Sequence, residues 1–146
     1  MTKKIIFVSV IVELIFLLIN TKVSYCQEVT DKIARVDTSN GIYNYLSLDV
    51  QPCFRGGVDS LRKHVDKYKF KILNTADIEG FVCVSFIVNT EGKAQKPRIM
   101  GDKMPKFVKS FLNQMVEKMP PWTPGIKNGL FVNSVIVIPI YLVIDN

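Results

Sequence analysis

The stretch that most restricts this chain is Met119-Pro120-Pro121-Trp122-Thr123-Pro124-Gly125, followed by the apolar run Leu130 to Ile144. Two consecutive prolines cannot continue a helix, so the amphipathic segment before them must stop there. Pro124 and Gly125 complete a rigid turn that fixes the direction of Trp122, the only tryptophan. The final run reads as one long strand carrying Pro139. A proline cannot donate to a ladder, which places such a strand at a sheet edge or at a bulge.

The same rule orders the rest of the sheet. Gly80 to Val88 alternates, is rich in β-formers and lacks proline, so it reads as the central strand. Val82, Val84, Phe86 and Val88 share one face; Phe81, Cys83, Ser85 and Ile87 share the other. Asn89-Thr90-Glu91-Gly92 is a turn needing a positive φ at glycine, and the return strand Ala94–Met100 contains Pro97 and so belongs at the other edge. Gly56-Gly57 opens a first helix with apolar spacing at Val58, Leu61, Val65 and Tyr68; residues 70–79 read as a connection. A second helix starts near Pro105 and carries Val108, Phe111, Leu112, Met115, Val116 and Met119 on one stripe. The expectation is an α+β domain, a three-stranded antiparallel sheet with two helices packed on one face. Ile42–Leu48 alternates well enough for a further short strand.

With 146 residues there is room for one domain, assigned here to residues 51–146, behind a segment 27–50. Residues 1–26 read separately. Lys3-Lys4 precedes a 15-residue apolar run, Ile5 to Ile19, shorter than a spanning helix needs and suited to a secretory signal. Ser24 and Cys26 offer small residues for cleavage before Gln27. An uncleaved inner-membrane anchor and a lipidated Cys26 are the alternatives; Glu13 inside the run disfavours both signal and anchor, the longer anchor more. Export to the periplasm puts the cysteines in an oxidising compartment. Cys53 and Cys83 then admit one pairing, and equally the reading that both are small buried hydrophobes.

The net charge is +6, of which residues 1–26 contribute two, from three lysines against Glu13. The lysines are scattered, which suits a solvated surface better than a nucleic-acid site. One histidine, His64, and no paired-cysteine spacing argue against a metal centre. No catalytic constellation is present, so no enzyme activity and no cofactor are expected.

Pro52-Cys53-Phe54-Arg55-Gly56-Gly57, the Gly80-led strand, the Met-Pro-Pro-Trp-Thr-Pro-Gly turn and Ile138-Pro139-Ile140 together resemble the carboxy-terminal domain of the TonB family. The likeness runs from about Gln51 to Ile144. Arg55 stands where the family commonly has proline, the Tyr-Pro-x-x-Ala element is missing, and Leu142 replaces an aromatic residue. What the resemblance implies is a binding module whose partner, an outer-membrane TonB-dependent transporter, adds an extended segment beside the last strand. It also implies structural roles for Gly56, Gly57, Pro120, Pro121, Trp122, Pro124, Gly125 and Pro139. No proline precedes Pro52, so the proline-rich spacer of full transducers is absent; residues 27–50 reach at most ~80–85 Å. Recognition rather than force transmission is what remains.

If Pro139 sits on a regular edge strand, its missing donor faces outward, and the odd-numbered residues share that direction. Phe131, Asn133, Val135, Val137, Tyr141 and Val143 are then the candidate partner-binding positions, with docking expected chiefly over Phe131–Val137. The side chains of Val135, Val137, Tyr141 and Val143, with Phe81 and Ile87, then leave an apolar patch on the open sheet face. A transporter segment, a second copy of the chain as a homodimer, or the chain's own Ile42–Val50 could cover it. A self-associating envelope protein that keeps the fold is therefore the alternative function.

Overall fold

The computed structural model describes residues 41–75, 78–101 and 104–143. The signal, anchor and lipidation readings of residues 1–26 lie outside these, as does Ile144. Among the described residues no helix is long and apolar enough to cross a membrane.

The elements are β1 (Ile42–Asn44), a 3₁₀ turn (Tyr45–Ser47), α1 (Gly57–Leu73), β2 (Gly80–Val88), β3 (Ala94–Met100), α2 (Lys106–Glu117), β4 (Gly125–Lys127) and β5 (Leu130–Leu142). The fold is α+β, with the expected antiparallel β3-β2-β5 at its centre. The sheet has five strands rather than three, in the order β1-β5-β2-β3, and β4 also pairs with β5. It is mixed, because β1 lies parallel to β5. β1 realises the start of the strand expected at Ile42–Leu48, which ends at Asn44 where the chain enters the 3₁₀ turn, and β4, three residues long, is too short to show a period of two.

Alternation assigns the faces as expected. Val82, Val84, Phe86 and Val88 of β2 and Ile136, Ile140 and Leu142 of β5 join Tyr68 and Ile72 of α1 and Val108, Leu112, Met115 and Val116 of α2 in one core. On the second face Ile42, Ile87 and Val135 form a smaller cluster with Val137. The patch there is mostly closed: Val135 is 2% exposed and Cys83 0%. Ile42 reaches it in the plane of the sheet, as a strand, rather than by folding across it.

α1 is longer than its first stripe suggests, because Phe70 to Leu73 is its last turn rather than a connection. Ile72, four residues after Tyr68, is fully buried, whereas the apolar Phe70 and Val58 point outward, 68% and 73% exposed. Gly56, at φ +86°, provides the left-handed entry. α2 closes at Lys118, whose N–H returns to Gln114 O at 3.0 Å, just before the two prolines. His64 has a structural place: its Nε2–H donates to the carbonyl of Met115, 2.8 Å away, one of the last four carbonyls of α2.

Both strand prolines obey the donor rule. Pro97 lies on edge strand β3, at a bulge between Ser85 and Ile87 of its partner, with Lys96 at φ +53°. Pro139 instead sits in an unbroken register, opposite Cys83, so its strand is regular there.

β4 and β5 form a hairpin through Asn128-Gly129, both at positive φ, as a two-residue type I′ turn requires. Asp49 clamps it. Its Oδ2 accepts from the Asn128 N–H at 2.6 Å and its Oδ1 from Lys127 Nζ at 3.0 Å. These two partners hold the Asp49 carboxyl below its ordinary value of 3.8. The lowered value fixes the sign: the contribution is complete above 3.8 and is lost as pH falls through the folded-state value. Asp49→Asn should therefore be less stable than wild type at neutral pH, with the difference closing in acid. Urea midpoints of both proteins at neutral pH and below 3.8 check this; a constant difference would contradict it.

Candidate functional site: the open edge of the last strand

β5 has two long sides. One pairs with β2 without interruption, from Val88 opposite Ser134 to Gly80 opposite Leu142. Pro139 lies within this ladder. It has no N–H, so a regular register is kept only if its backbone groups point away from β2. Alternation then turns the backbone of Asn133, Val135, Val137 and Tyr141 the same way, and β1 pairs with β5 at Asn133–Val135.

The expected docking row is thus occupied at Asn133 and Val135. Asn133 lies opposite Ile42 and Val135 opposite Asn44, whereas Phe131 lies opposite Ile126 of β4, whose N–H and carbonyl both bond to Val50 rather than to β5. β1 then turns off through its 3₁₀ turn, where Asn44 Oδ1 accepts from the Leu46 N–H at 3.1 Å. Beyond Val135 no strand of the described residues lies on the outer side of β5. The open edge is Val137 to Leu142, with Val143 just past it. It offers the N–H groups of Val137 and Tyr141 and the carbonyls of Val137, Pro139 and Tyr141. β1 interrupts the donor row expected at Phe131–Val137 by pairing at Asn133 and Val135, and the row around Pro139 is left open.

A trough runs along this edge. Its shallower part, about 300 Å³, lies between Leu61, Arg62, Val65 and Lys69 of α1 and Ile138–Tyr141 of β5. Its deeper part, about 460 Å³, is walled by Tyr45, Pro52, Phe54, Trp122 and the Val135–Ile138 segment. The two parts share Val58, Leu61 and Ile138 and so form one channel. The walls are apolar; Arg62, Asp66 and Lys69 supply the charge at the rim. The trough can take an extended chain, with backbone groups meeting β5 and alternate side chains entering the channel.

Trp122 forms the floor of the deep end. It is 6% exposed, stands edge-on to Phe54 with centroids 5.2 Å apart, and lies 5.6 Å from Phe86. Its indole N–H is buried without a partner. The turn around it is pinned on both sides. Trp122 N–H donates to Gly92 O at 2.8 Å, and Thr123 exchanges two backbone bonds with Cys53, 2.8 and 3.0 Å. Gly125 packs close to Leu48, where a Cβ would lie 2.8 Å from Leu48 Cδ1. Cys53 is an exposed free thiol and does not pair with Cys83. Among the described residues no cluster of His, Cys, Asp and Glu could hold a metal ion.

The α1 wall of the trough escaped sequence reasoning. Val58 and Leu61 read as one core stripe, and nothing local places them against Ile138, far along the chain. β4 was missed too, although Asn128-Gly129 between two β-forming stretches is its signal.

No protein-family model matches this chain, and no curated protein matches it.

Proposed function

We propose that this chain is a non-enzymatic, periplasmic TonB-like binding module. It recognises an extended segment of an outer-membrane TonB-dependent transporter by strand addition at β5, in support of transport across the outer membrane. The observation that carries this reading is the open Val137–Leu142 edge lying beside an apolar trough. β1 already uses the neighbouring stretch of the same edge, so an incoming strand continues an existing mode of pairing. Main-chain bonds supply affinity, each worth about 0.5–1.5 kcal/mol net. The trough supplies selectivity between side chains.

Photocrosslinking in the envelope tests this. A photoreactive residue at Val58, on the α1 wall and 73% exposed, should capture an outer-membrane protein, identified by mass spectrometry. The same residue at Phe70, equally exposed on the same helix but not part of the trough lining, should not. Adducts at twice the mass of the chain from Val58 alone would favour the self-associating alternative instead.

A further inference from the structure

Lysines that are scattered along the sequence share one side of α1. Lys63, Lys67 and Lys71 recur every four residues, and Phe70 follows Lys67 by three and Lys63 by seven, so the four side chains line one side of the helix over about 12 Å. All four are exposed, Phe70 at 68%. Lys71 is steadied by Tyr68, whose ring centroid lies 5.1 Å from its ammonium. The one carboxylate between Lys63 and Lys71 is Asp66, on the rim of the trough. Among the described residues Lys127 and Asp49 form the one ion pair, so none of these ammonium groups is paired with a described carboxylate. α2, tied to α1 through His64 and the Met115 carbonyl, brings Lys106, Lys109 and Lys118 against Glu117 alone.

We propose that this side of α1 docks on the anionic headgroups of a phospholipid bilayer, with the Phe70 ring entering the interface and the three ammonium groups meeting phosphates. Basic side chains beside an anionic bilayer are drawn in by its surface potential, and an aromatic ring among them adds apolar burial at the headgroup level. Lysine suits such a surface, because its long stem lets the ammonium follow phosphates that have no fixed positions. An acidic protein would need an apolar centre to pack against. This side of α1 offers a single ring: of the helix's two exposed large apolar side chains, Val58 lines the trough and Phe70 stands here. The helix itself does not insert, because its apolar stripe is already in the core, where Tyr68 and Ile72 are buried. Val58, Leu61 and Val65, which line the trough, lie about 120–180° round the helix from Phe70 at ~100° per residue, so a docked protein keeps the trough open. Docking in this way does not depend on whether β5 receives a transporter segment.

Vesicle flotation tests this. Protein recovered from the envelope fraction is mixed with vesicles of phosphatidylglycerol and phosphatidylethanolamine, or of phosphatidylcholine alone. Any residues retained from the apolar run 5–19 bind both kinds of vesicle and do so in every variant, so the readout is the ratio of the two partition coefficients. The wild type should favour the anionic vesicles, and less so as salt rises. A lysine at an anionic surface is worth about fivefold in partitioning, so Lys63→Gln, Lys67→Gln and Lys71→Gln together should lower the ratio on the order of 100-fold. Lys93→Gln, Lys96→Gln and Arg98→Gln remove the same charge from β3 and its turn, and should lower it far less. All six side chains are exposed, so circular dichroism of both triple variants should match the wild type. Phe70→Ser, which removes no charge, should lower partition to the anionic vesicles without changing its salt dependence. A wild-type ratio near one, a ratio unchanged in the α1 variant, or equal losses from the two triple variants would each overturn the proposal. So would a wild-type ratio near one together with capture of an acidic protein that the α1 variant loses, which assigns the face to a protein partner. Failure to bind a transporter peptide leaves it untouched.

Discussion

Trp122→Ala should destabilise the domain by about 3–5 kcal/mol, the range for truncating a large buried aromatic. Trp122 is where three separate parts of the chain converge. Phe54 comes from the entry to α1, Phe86 from the central strand, and the turn itself from the segment between α2 and β4. Removing the indole leaves Phe54 and Phe86 without their shared neighbour and joins a void to a channel already about 460 Å³ in volume. A domain of this size has roughly 5–15 kcal/mol in total, so the loss is a large share of it. Thermal unfolding should shift down by at least ~12 °C at 4–8 °C per kcal/mol. Trp122→Phe is the informative companion. It loses less volume and also removes the buried, unpartnered indole N–H, so it should cost clearly less than alanine. Wild-type melting of Trp122→Ala with loss of partner binding would mean that the side chain acts on the partner rather than on the core.

Gly92→Ala should be nearly as damaging, although it adds a single methyl group. Gly92 has φ +82°, and the turn is held by its N–H to Asn89 O at 2.9 Å and by Asn89 Oδ1, which accepts from Glu91 and Lys93. A left-handed conformation costs a non-glycine residue about 1–2 kcal/mol. A Cβ there would also strike the Trp122 carbonyl oxygen, with the carbonyl carbon 3.1 Å away, and this is backbone that cannot swing aside. Overpacking adds about 1–3 kcal/mol, for a total on the order of 2–5 kcal/mol. Gly129→Ala separates the two causes. Gly129 has φ +75°, and a methyl group added to it would meet nothing within 4 Å, so only the conformational cost of about 1–2 kcal/mol applies. Denaturant midpoints should fall much further for Gly92→Ala than for Gly129→Ala. Equal shifts would show that the approach of Trp122 carries no weight.

The parts of the fold that were legible in the sequence are those with a local cause. β2, β3 and α2 announce themselves by period and by proline, and their observed bounds follow those signals. Gly92 was legible as a positive-φ position, because a tight turn makes that demand by itself. Its contact with Trp122, remote in sequence, was not. The end of α1 was obscured by Phe70, an apolar residue on the solvent side that interrupts the stripe before Ile72 resumes it. The candidate site divides in the same way. Alternation and Pro139 predict which backbone groups of β5 face away from β2. Which of those remain open depends on β1, a three-residue strand whose pairing is set by tertiary contacts. The stretch left open among the described residues is Val137–Leu142, and only Val137 and Tyr141 of the expected row lie within it, with Val143 at its end.

The central claim is that the outer edge of β5 beyond Val135 is a strand-docking site. Paired proline substitutions test it most directly. Val137 turns its N–H outward, away from β2 and past the end of β1, so Val137→Pro removes a docking donor without touching the internal ladder. Ile136 is 7% exposed and turns its N–H toward β2, so Ile136→Pro removes an internal bond from the central pair and should unfold the sheet. Circular dichroism reads the fold of both variants, and fluorescence anisotropy reads binding of an extended peptide from a TonB-dependent transporter. The account predicts that Val137→Pro keeps the wild-type spectrum and loses peptide binding, while Ile136→Pro loses the spectrum. A Val137→Pro variant that folds and binds as wild type, or one that unfolds, would contradict it.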